Sequence, residues 1–349
     1  MTAPTVLILT TVHHPDDPRI REKLARTLVD GGLEVAFATR EPGPSDPEGL
    51  RWLPLRGGRL ARNLAAWRAA FTTRYHLLSL HDPETLPLGL AVAWLRRRPV
   101  IFDVHENVPE LAMQRTWVPA VLRRPVRWLL RTLLTTAERS LHITLAEPGY
   151  QSLFRRTNPV FPNYLSPSLP PVLDQRDGYA VYVGDVTEAR GIGTAVVAAV
   201  RAGLPLRVVG SVSDDLRRDL AAEAGDSVVF EGRLPHFQAM EIAARAVVGM
   251  SPLRDLPNYR HSLPTKVIEY LALGVPVVAS DLPGTREAVR GLESVELVPP
   301  DNSEMMAAAM GRAAATVEKA ISQAPEIRER YQWPAEEVRA FYRSLLPFL

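Results

Sequence analysis

Two runs of strand–helix alternation, separated by a proline-rich stretch, constrain the fold of this chain more than any other feature. Asn158-Pro-Val-Phe-Pro-Asn-Tyr-Leu-Ser-Pro-Ser-Leu-Pro-Pro171 reads as an extended linker, because proline removes ladder donors and helix starts alike. Before it, apolar or β-branched runs occur at Thr5–Thr10, Leu33–Thr39, Leu50–Leu55, Leu77–His81, Val100–His105 and His142–Leu145. Helix-like segments lie between several of them: Pro18–Asp30, Leu60–Thr73, Leu86–Leu95 and Ala120–Ser140. After it the pattern restarts, with strand-like runs at Tyr179–Val183, Leu206–Val209, Val228–Phe230, Val247–Met250, Val275–Ala279 and Val295–Val298. Such alternation predicts parallel sheets covered by helices on both faces. The 349 residues suffice for two such domains, each with its own core. In doubly wound sheets ligands sit beyond the carboxyl ends of the strands, so the expected site is a cleft between the two domains.

Composition narrows the chemistry. Hydrophobic residues make up 46% and charged residues 23%, which excludes general disorder and a fibrous repeat. With no cysteine, disulfides, thiolate metal sites and cysteine nucleophiles are excluded. The longest apolar run, Leu86–Leu95, is too short to span a bilayer and stops at Arg96-Arg97-Arg98. The opening MTAPTVLILT has no basic region and runs straight into a strand, unlike a signal peptide, so the expected compartment is the cytoplasm. The near-neutral total hides an asymmetry: residues 1–170 carry a net charge of +7 and the remainder −5. A basic half suggests an anionic acceptor, a membrane surface or nucleic acid. Only three lysines, Lys23, Lys266 and Lys319, stand among 41 basic residues, which hints that those positions need an ammonium rather than a guanidinium.

The second half holds the most informative segment, His261-Ser-Leu-Pro-Thr-Lys-Val-Ile-Glu-Tyr-Leu-Ala-Leu-Gly-Val-Pro-Val-Val-Ala-Ser280. Pro264 suits a first helical turn, Gly274 a C-terminal cap, and Pro276 lies just beyond. Lys266 and Glu269 then share one face of the helix start, where free N–H groups and the dipole favour phosphate. A carboxylate one turn deeper suits the two hydroxyls of a ribose; a plain surface Lys/Glu pair is the competing reading. Earlier, Tyr182-Val-Gly-Asp-Val-Thr-Glu-Ala-Arg-Gly-Ile192 places Gly184 at a strand end and Arg190 at a helix N-terminus, fit for a diphosphate or simply exposed in a loop.

In the first half, three strands end in histidine: at His13-His14, at His81-Asp-Pro-Glu84 and at His105-Glu106-Asn107. Strand ends in one doubly wound sheet share an edge, so these tips are expected to converge. No pair has the short helical spacing of a dedicated zinc motif, and no metal is expected.

These segments together resemble family 4 retaining glycosyltransferases, which have the GT-B fold. The second-half segment is similar to the family's nucleotide-sugar site: Glu269 matches the second of two glutamates, and Ala272, Gly274 and Pro276 to Ala279 match the trailing part. The first glutamate position is His261 here. One branch of the family shares the Pro-x-Lys-x-x-Glu-Tyr core. Gly184 and Arg190-Gly191 fit the phosphate turn, with Asp185 where a cation is usual. The first half resembles that branch through His-x-Pro-x-Asp-x-Arg-Ile, His-Asp-Pro-Glu and Asp-Val-His-Glu, in order. The Gly-Gly loop of many members is replaced by His13-His14-Pro15-Asp16.

The resemblance implies an N-terminal Rossmann-like acceptor domain at 1–165, a C-terminal nucleotide-sugar domain at 171–330, and a terminal helix at 331–349 that crosses back. It implies a metal-independent transferase of hexosyl or N-acetylhexosaminyl groups, with no cofactor and a UDP- or GDP-linked sugar as co-substrate. Catalytic residues would be His105, Arg190 and Lys266. The donor would meet Gly184, Arg190, His261, Lys266 and Glu269. The acceptor, a small molecule or glycan, would meet His13, His14, His81 and Glu106. A nucleotide-sugar epimerase or hydrolase on the same fold, or a non-catalytic sugar-nucleotide-binding homologue, stays open beside it.

One stretch belongs to neither site. Between Leu111 and Ala137 no acidic residue occurs, while Arg115, Arg123, Arg124, Arg127 and Arg131 accompany Trp117 and Trp128. The spacing is that of an amphipathic basic helix, suited to peripheral contact with an anionic membrane or to packing on its own domain. Nucleic acid is not expected, since no binding module is recognisable.

Overall fold

The computed structural model describes residues 3–43, 49–105, 109, 120–260 and 262–346. The chain forms two compact units, Met1–Ser166 with Trp333–Leu349, and Pro167–Gln332.

The first unit is built on six parallel strands: β1 (Thr5–Leu9), β2 (Glu34–Arg40), β3 (Leu50–Leu55), β4 (Leu77–Leu80), β5 (Val100–Val104) and β6 (His142–Leu145). Their order is β3-β2-β1-β4-β5-β6. The central strands are apolar on both faces because both are covered. Val6 and Ile8 of β1 join a core with Ile20, Leu28 and Phe37, whereas Leu7 and Leu9 join one with Ala66, Leu88, Val92 and Leu134. Thus α1 (Arg26–Asp30) covers one face, and α2 (Arg59–Thr72), α3 (Leu86–Ala91) and α4 (Arg123–Ala137) cover the other. The helix expected over Pro18–Asp30 begins as a π-helix, Pro18–Ala25, before tightening into α1. Its start is as the sequence demands: the Asp17 carboxylate accepts from the Arg19 and Ile20 amides, and Pro18 follows at the first helical position.

The second unit repeats the plan with β7 (Ala180–Val183), β8 (Leu206–Val209), β9 (Val228–Gly232), β10 (Val248–Ser251), β11 (Val277–Ser280) and β12 (Val295–Val298), in the order β12-β11-β10-β7-β8-β9. Its helices are α5 (Ile192–Ala202), α6 (Asp214–Ala224), α7 (His236–Ala244), α8 (Thr265–Ala272), α9 (Pro283–Ala288), α10 (Ser303–Ala314) and α11 (Val317–Arg330). The final helix, α12 (Ala335–Ser344), returns to the first unit. There Trp333, Val338 and Tyr342 are buried with Val6 and Ile8, and the Trp333 indole donates to Thr27 Oγ1 at 3.0 Å.

In both sheets the chain winds outward one way, then the other. The reversal falls between β1 and β4 in the first unit and between β7 and β10 in the second. A doubly wound sheet opens a crevice at that reversal, beyond the carboxyl ends of the strands.

Candidate active site

The crevice of the first unit holds a network of buried polar groups. Asp103, on β5, is gripped by Arg19 through two parallel bonds, Nε to Oδ2 at 3.0 Å and Nη2 to Oδ1 at 2.9 Å. The third arm of that guanidinium donates to the Phe161 carbonyl at 2.8 Å, and Thr144 donates to Asp103 Oδ1 at 2.8 Å. His105 Nε2 sits 2.6 Å from Asp103 Oδ2 and 3.2 Å from His81 Nδ1. His81 Nε2 in turn meets Ser79 Oγ at 3.2 Å, and that hydroxyl meets Tyr342 Oη at 2.9 Å. His13 Nδ1 lies 2.7 Å from Asp82 Oδ1, while Asp82 Oδ2 accepts from the Thr11 amide at 2.5 Å.

Electrostatics sort these groups into charged and neutral. Burial works to raise the Asp103 carboxyl, but the Arg19 and His105 charges outweigh it and hold it well below the usual range. Burial is likewise overcome at Asp82 by its bond to His13, which leaves that carboxyl at about 2. His81 goes the other way: burial, then the neighbouring His105 charge, push it down to about 3, so it is a neutral imidazole. His105 is therefore the ring that a fixed carboxylate orients, with Nε2 engaged and Nδ1 left without a hydrogen-bond partner among the described residues. A ring held this way can place its second nitrogen against a polar ligand group.

His81, Asp103 and His105 also bring ligand-type atoms within 4.8 Å of one another. The donor set does not suit a metal ion. Both oxygens of Asp103 are already held by the Arg19 fork, and the two imidazoles are turned on each other.

The second unit's crevice is organised by glycines and one lysine. At the end of β7, Gly184 has φ of +135°, a backbone that glycine tolerates. Tyr182 Oη donates to the Asp185 carbonyl at 2.8 Å, and Tyr270 Oη accepts from the Val183 amide at 2.7 Å. The turn is thus pinned from both sides. Lys266, in the first turn of α8, reaches it: Nζ would lie 3.2 Å from a Cβ at Gly184 and is 3.8 Å from the centroid of the Tyr182 ring. This ammonium is shielded from solvent and has no hydrogen-bond partner among the described residues. Burial, then the Arg190 charge, hold its pKa well below the ordinary lysine value; Glu269 and Asp185 offset this only in part. Arg190 stands before Gly191, where φ is +73° and an added Cβ would fall 1.8 Å from the Pro252 carbonyl oxygen. Its guanidinium is 3.7 Å from the Asp185 carboxylate, a loose and partly exposed pair that contributes little. Glu269 lies buried one turn deeper on α8, 2.8 Å from His236 Nε2.

The structure therefore groups His13, His81 and His105 in one unit, and Gly184, Arg190, Lys266 and Glu269 in the other. His14 follows His13 in the chain, its Nδ1 accepting from the Asp16 amide at 3.2 Å. The His81 side chain has no exposed surface, so it supports His105 and has no atom open to an acceptor. Glu106 and His261 lie outside the described residues, as does the 111–119 part of the basic stretch. Several residues of the network escaped sequence reasoning as individuals. Asp82, Asp103 and Arg19 stand inside the motifs but have no signal of their own. His236 and Tyr342 are distant in sequence from their partners, and nothing local marks them.

Residues 177–316 match the model of a family described as Glycosyl transferases group 1. None of the curated proteins matches the chain by sequence. Among solved structures, the chain is similar to a sucrose-phosphate synthase from Thermosynechococcus elongatus, with a TM-score of 0.72 and 22% identity over 98% of this chain and 99% of that one. It is also similar to HepE from Anabaena in complex with UDP-glucose (TM-score 0.67, 14% identity, 97% and 98% coverage). A third is WaaG, a glycosyltransferase involved in lipopolysaccharide biosynthesis (TM-score 0.66, 12% identity, 96% and 99% coverage). The fold is GT-B, with two Rossmann-like units.

Proposed function

We propose that this chain is a retaining glycosyltransferase. It moves a hexosyl or N-acetylhexosaminyl group from a nucleotide-diphosphate sugar to an acceptor hydroxyl or amine, without a metal ion. The observation that carries this reading is the Lys266 ammonium, shielded from solvent and without a hydrogen-bond partner among the described residues, beside the glycine turn at the β7–β10 reversal. A cation desolvated in this way is destabilised until an anion meets it. The turn and the start of α8 add backbone N–H groups, which suit a phosphate. The match of this unit to Glycosyl transferases group 1 supports the same ligand. The neighbour that holds UDP-glucose makes a UDP-linked sugar the first to test.

In this reading Lys266 and Arg190 stabilise the charge that develops on the departing diphosphate, which is electrostatic catalysis by groups set in place beforehand. Glu269, steadied by His236, takes the ribose. His105, oriented by Asp103, meets the sugar or the acceptor through its second ring nitrogen. No carboxylate of the described residues is placed as an obvious nucleophile, so the leaving phosphate would accept the acceptor's proton, with retention. The reaction would run in the cytoplasm; among the described residues no helix is long and apolar enough to cross a membrane.

The test is turnover of UDP-, GDP-, ADP- and dTDP-sugars against a panel of acceptors, with and without chelator, and the anomeric proton of the product read by NMR. Transfer with retained configuration in the presence of chelator is expected. An inverted product overturns the mechanism. Full conversion of donor to another sugar nucleotide without acceptor makes the protein an epimerase instead.

A further inference from the structure

The helices on one face of the first unit carry an unusual outer surface. Neither α2 nor α4, nor the helical run Leu86–Arg96 that contains α3, has a single Asp or Glu, while together they hold eight arginines. They pack side by side against one core through Ala66, Ala70, Leu88, Val92, Leu134 and Ala137. Ties at their far ends hold the layer together: Arg96 donates to the Ala70 carbonyl at 2.6 Å, and the Trp94 indole donates to Ser140 Oγ at 3.0 Å. Away from the core the same helices expose large apolar side chains. Leu64 and Trp67 are exposed on α2, Trp94 (65%) and Leu95 beyond α3, and Trp128 (69%) and Leu129 on α4. A monomer surface rarely leaves that much aromatic and aliphatic area in water without a partner.

Beside Trp94 and Leu95 the layer ends in a recess of about 520 Å³ lined by Arg51, Arg74, Arg96 and Arg98, with Glu34 as its single carboxylate. Arg51, Arg74 and Arg98 make no ion pair among the described residues. This recess is at the amino ends of the strands, away from the crevice that holds His105. Convergent guanidiniums in a concave site focus positive potential and present forks that match phosphate.

We propose that this three-helix face docks the protein on an anionic lipid bilayer, with Trp94, Leu95, Trp128 and Leu129 entering the interface and the arginine recess receiving lipid phosphate. Interleaved arginines and exposed tryptophans are what an interfacial surface requires: apolar area to bury and cationic groups at headgroup level. A second copy is a poor occupant, because two faces rich in arginine, with Glu34 of the recess as the one carboxylate named on them, repel one another. The proposal extends the amphipathic stretch expected at 111–137, of which 120–137 are described, to a composite surface, and it holds whatever reaction the crevices perform.

The experiment is co-sedimentation of the full chain with vesicles of neutral phosphatidylcholine, and of the same lipid with 30% phosphatidylglycerol, at low and at high salt, with tryptophan emission recorded in parallel. Binding to the anionic vesicles alone, weakened by salt and accompanied by a blue shift, is expected. R123Q/R124Q/R127Q and R51Q/R74Q/R98Q should each reduce binding about tenfold or more. W94S/L95S should reduce it too and remove part of the blue shift. Melting curves confirm that each variant is folded; these side chains are largely exposed, so the folds should hold. Equal binding to neutral vesicles, no binding at all, or binding indifferent to all three variants overturns the proposal. Titration with glycerol 3-phosphate and tripolyphosphate is the second arm. If they bind the wild type and fail with R51Q/R74Q/R98Q while vesicles do not bind, the recess serves a soluble phosphate and the docking face is refuted. A concentration-dependent dimer abolished by W94S/L95S refutes it in favour of self-association.

Discussion

His236 Nε2 and Glu269 Oε1 lie 2.8 Å apart, both side chains buried, although 33 residues separate them. One starts α7 and the other sits inside α8, so the pair joins the two helices beside the second unit's crevice. A buried carboxylate held this way has one orientation. If Glu269 receives a ribose, His236 positions it without touching the ligand. His236→Ala should therefore weaken binding of free UDP by about 1–2 kcal/mol, the size of a hydrogen bond to a charged group. His236→Gln, which keeps a donor, should recover part of that. Calorimetric titration checks this; equal affinities in all three proteins would detach His236 from the site.

The neutral, buried His81 makes the first unit sensitive to acid. Its folded pKa is pushed down to about 3, so the fold favours the uncharged ring. That contribution is complete above the unfolded value near 6.5 and is lost as pH falls from there toward 3. Between pH 6.5 and 4.5 the loss is about 2–3 kcal/mol. Denaturant unfolding at several pH values should show a flatter profile for His81→Gln than for the wild type. Parallel profiles would mean that His81 is protonated in the folded protein.

Asp103 should be the most destabilising position in that network to neutralise. Asp103→Asn removes the charge that balances a buried Arg19 and also orients His105. Breaking a buried pair from one side costs about 3–5 kcal/mol. A change below about 1 kcal/mol in chemical denaturation would contradict the burial of that pair.

Two glycines of α5 separate strain from collision. Gly191, before the helix, and Gly203, after it, both have positive φ. A Cβ at Gly203 meets nothing within 4 Å, whereas one at Gly191 falls 1.8 Å from the Pro252 carbonyl oxygen. Gly203→Ala should cost about 1 kcal/mol, from backbone conformation alone. Gly191→Ala should cost about 2–4 kcal/mol and weaken nucleotide binding as the start of α5 is forced away from the segment after β10. Similar melting temperatures for the two variants would sink this distinction.

How legible the molecule was follows from the range of the interactions. Alternation and caps are local, so the strands, Asp17-Pro18 and the turn at Gly274 could all be read from neighbours in sequence. Helix ends moved by a few residues, and Pro18–Ala25 widened to a π-helix, because tertiary packing sets the final turns. The histidine cluster was foreseeable, since strand ends of one sheet share an edge. What could not be foreseen is which partner each group takes. Arg19 meets Asp103 across 84 residues, and Ser79 meets Tyr342 across 263. That the His81 side chain is fully buried while that of His105 keeps some exposure follows from packing between distant segments, which no local pattern reports.

The account stands most directly on Lys266. Its Nζ is shielded and has no hydrogen-bond partner among the described residues, and burial holds its pKa well below the ordinary lysine value, so an arriving diphosphate should raise that pKa and favour the ammonium. Titration of wild type and Lys266→Met with UDP and UDP-glucose, in two buffers of different ionisation enthalpy and at rising pH, tests this. The wild type should lose affinity as pH rises, with proton uptake on binding at the pH values where the free lysine is partly deprotonated. Lys266→Met, which keeps the volume and loses the charge, should bind at least tenfold more weakly with no uptake through this group. Equal affinity in the two proteins, or uptake unchanged by the substitution, would contradict the claim that this lysine receives the diphosphate.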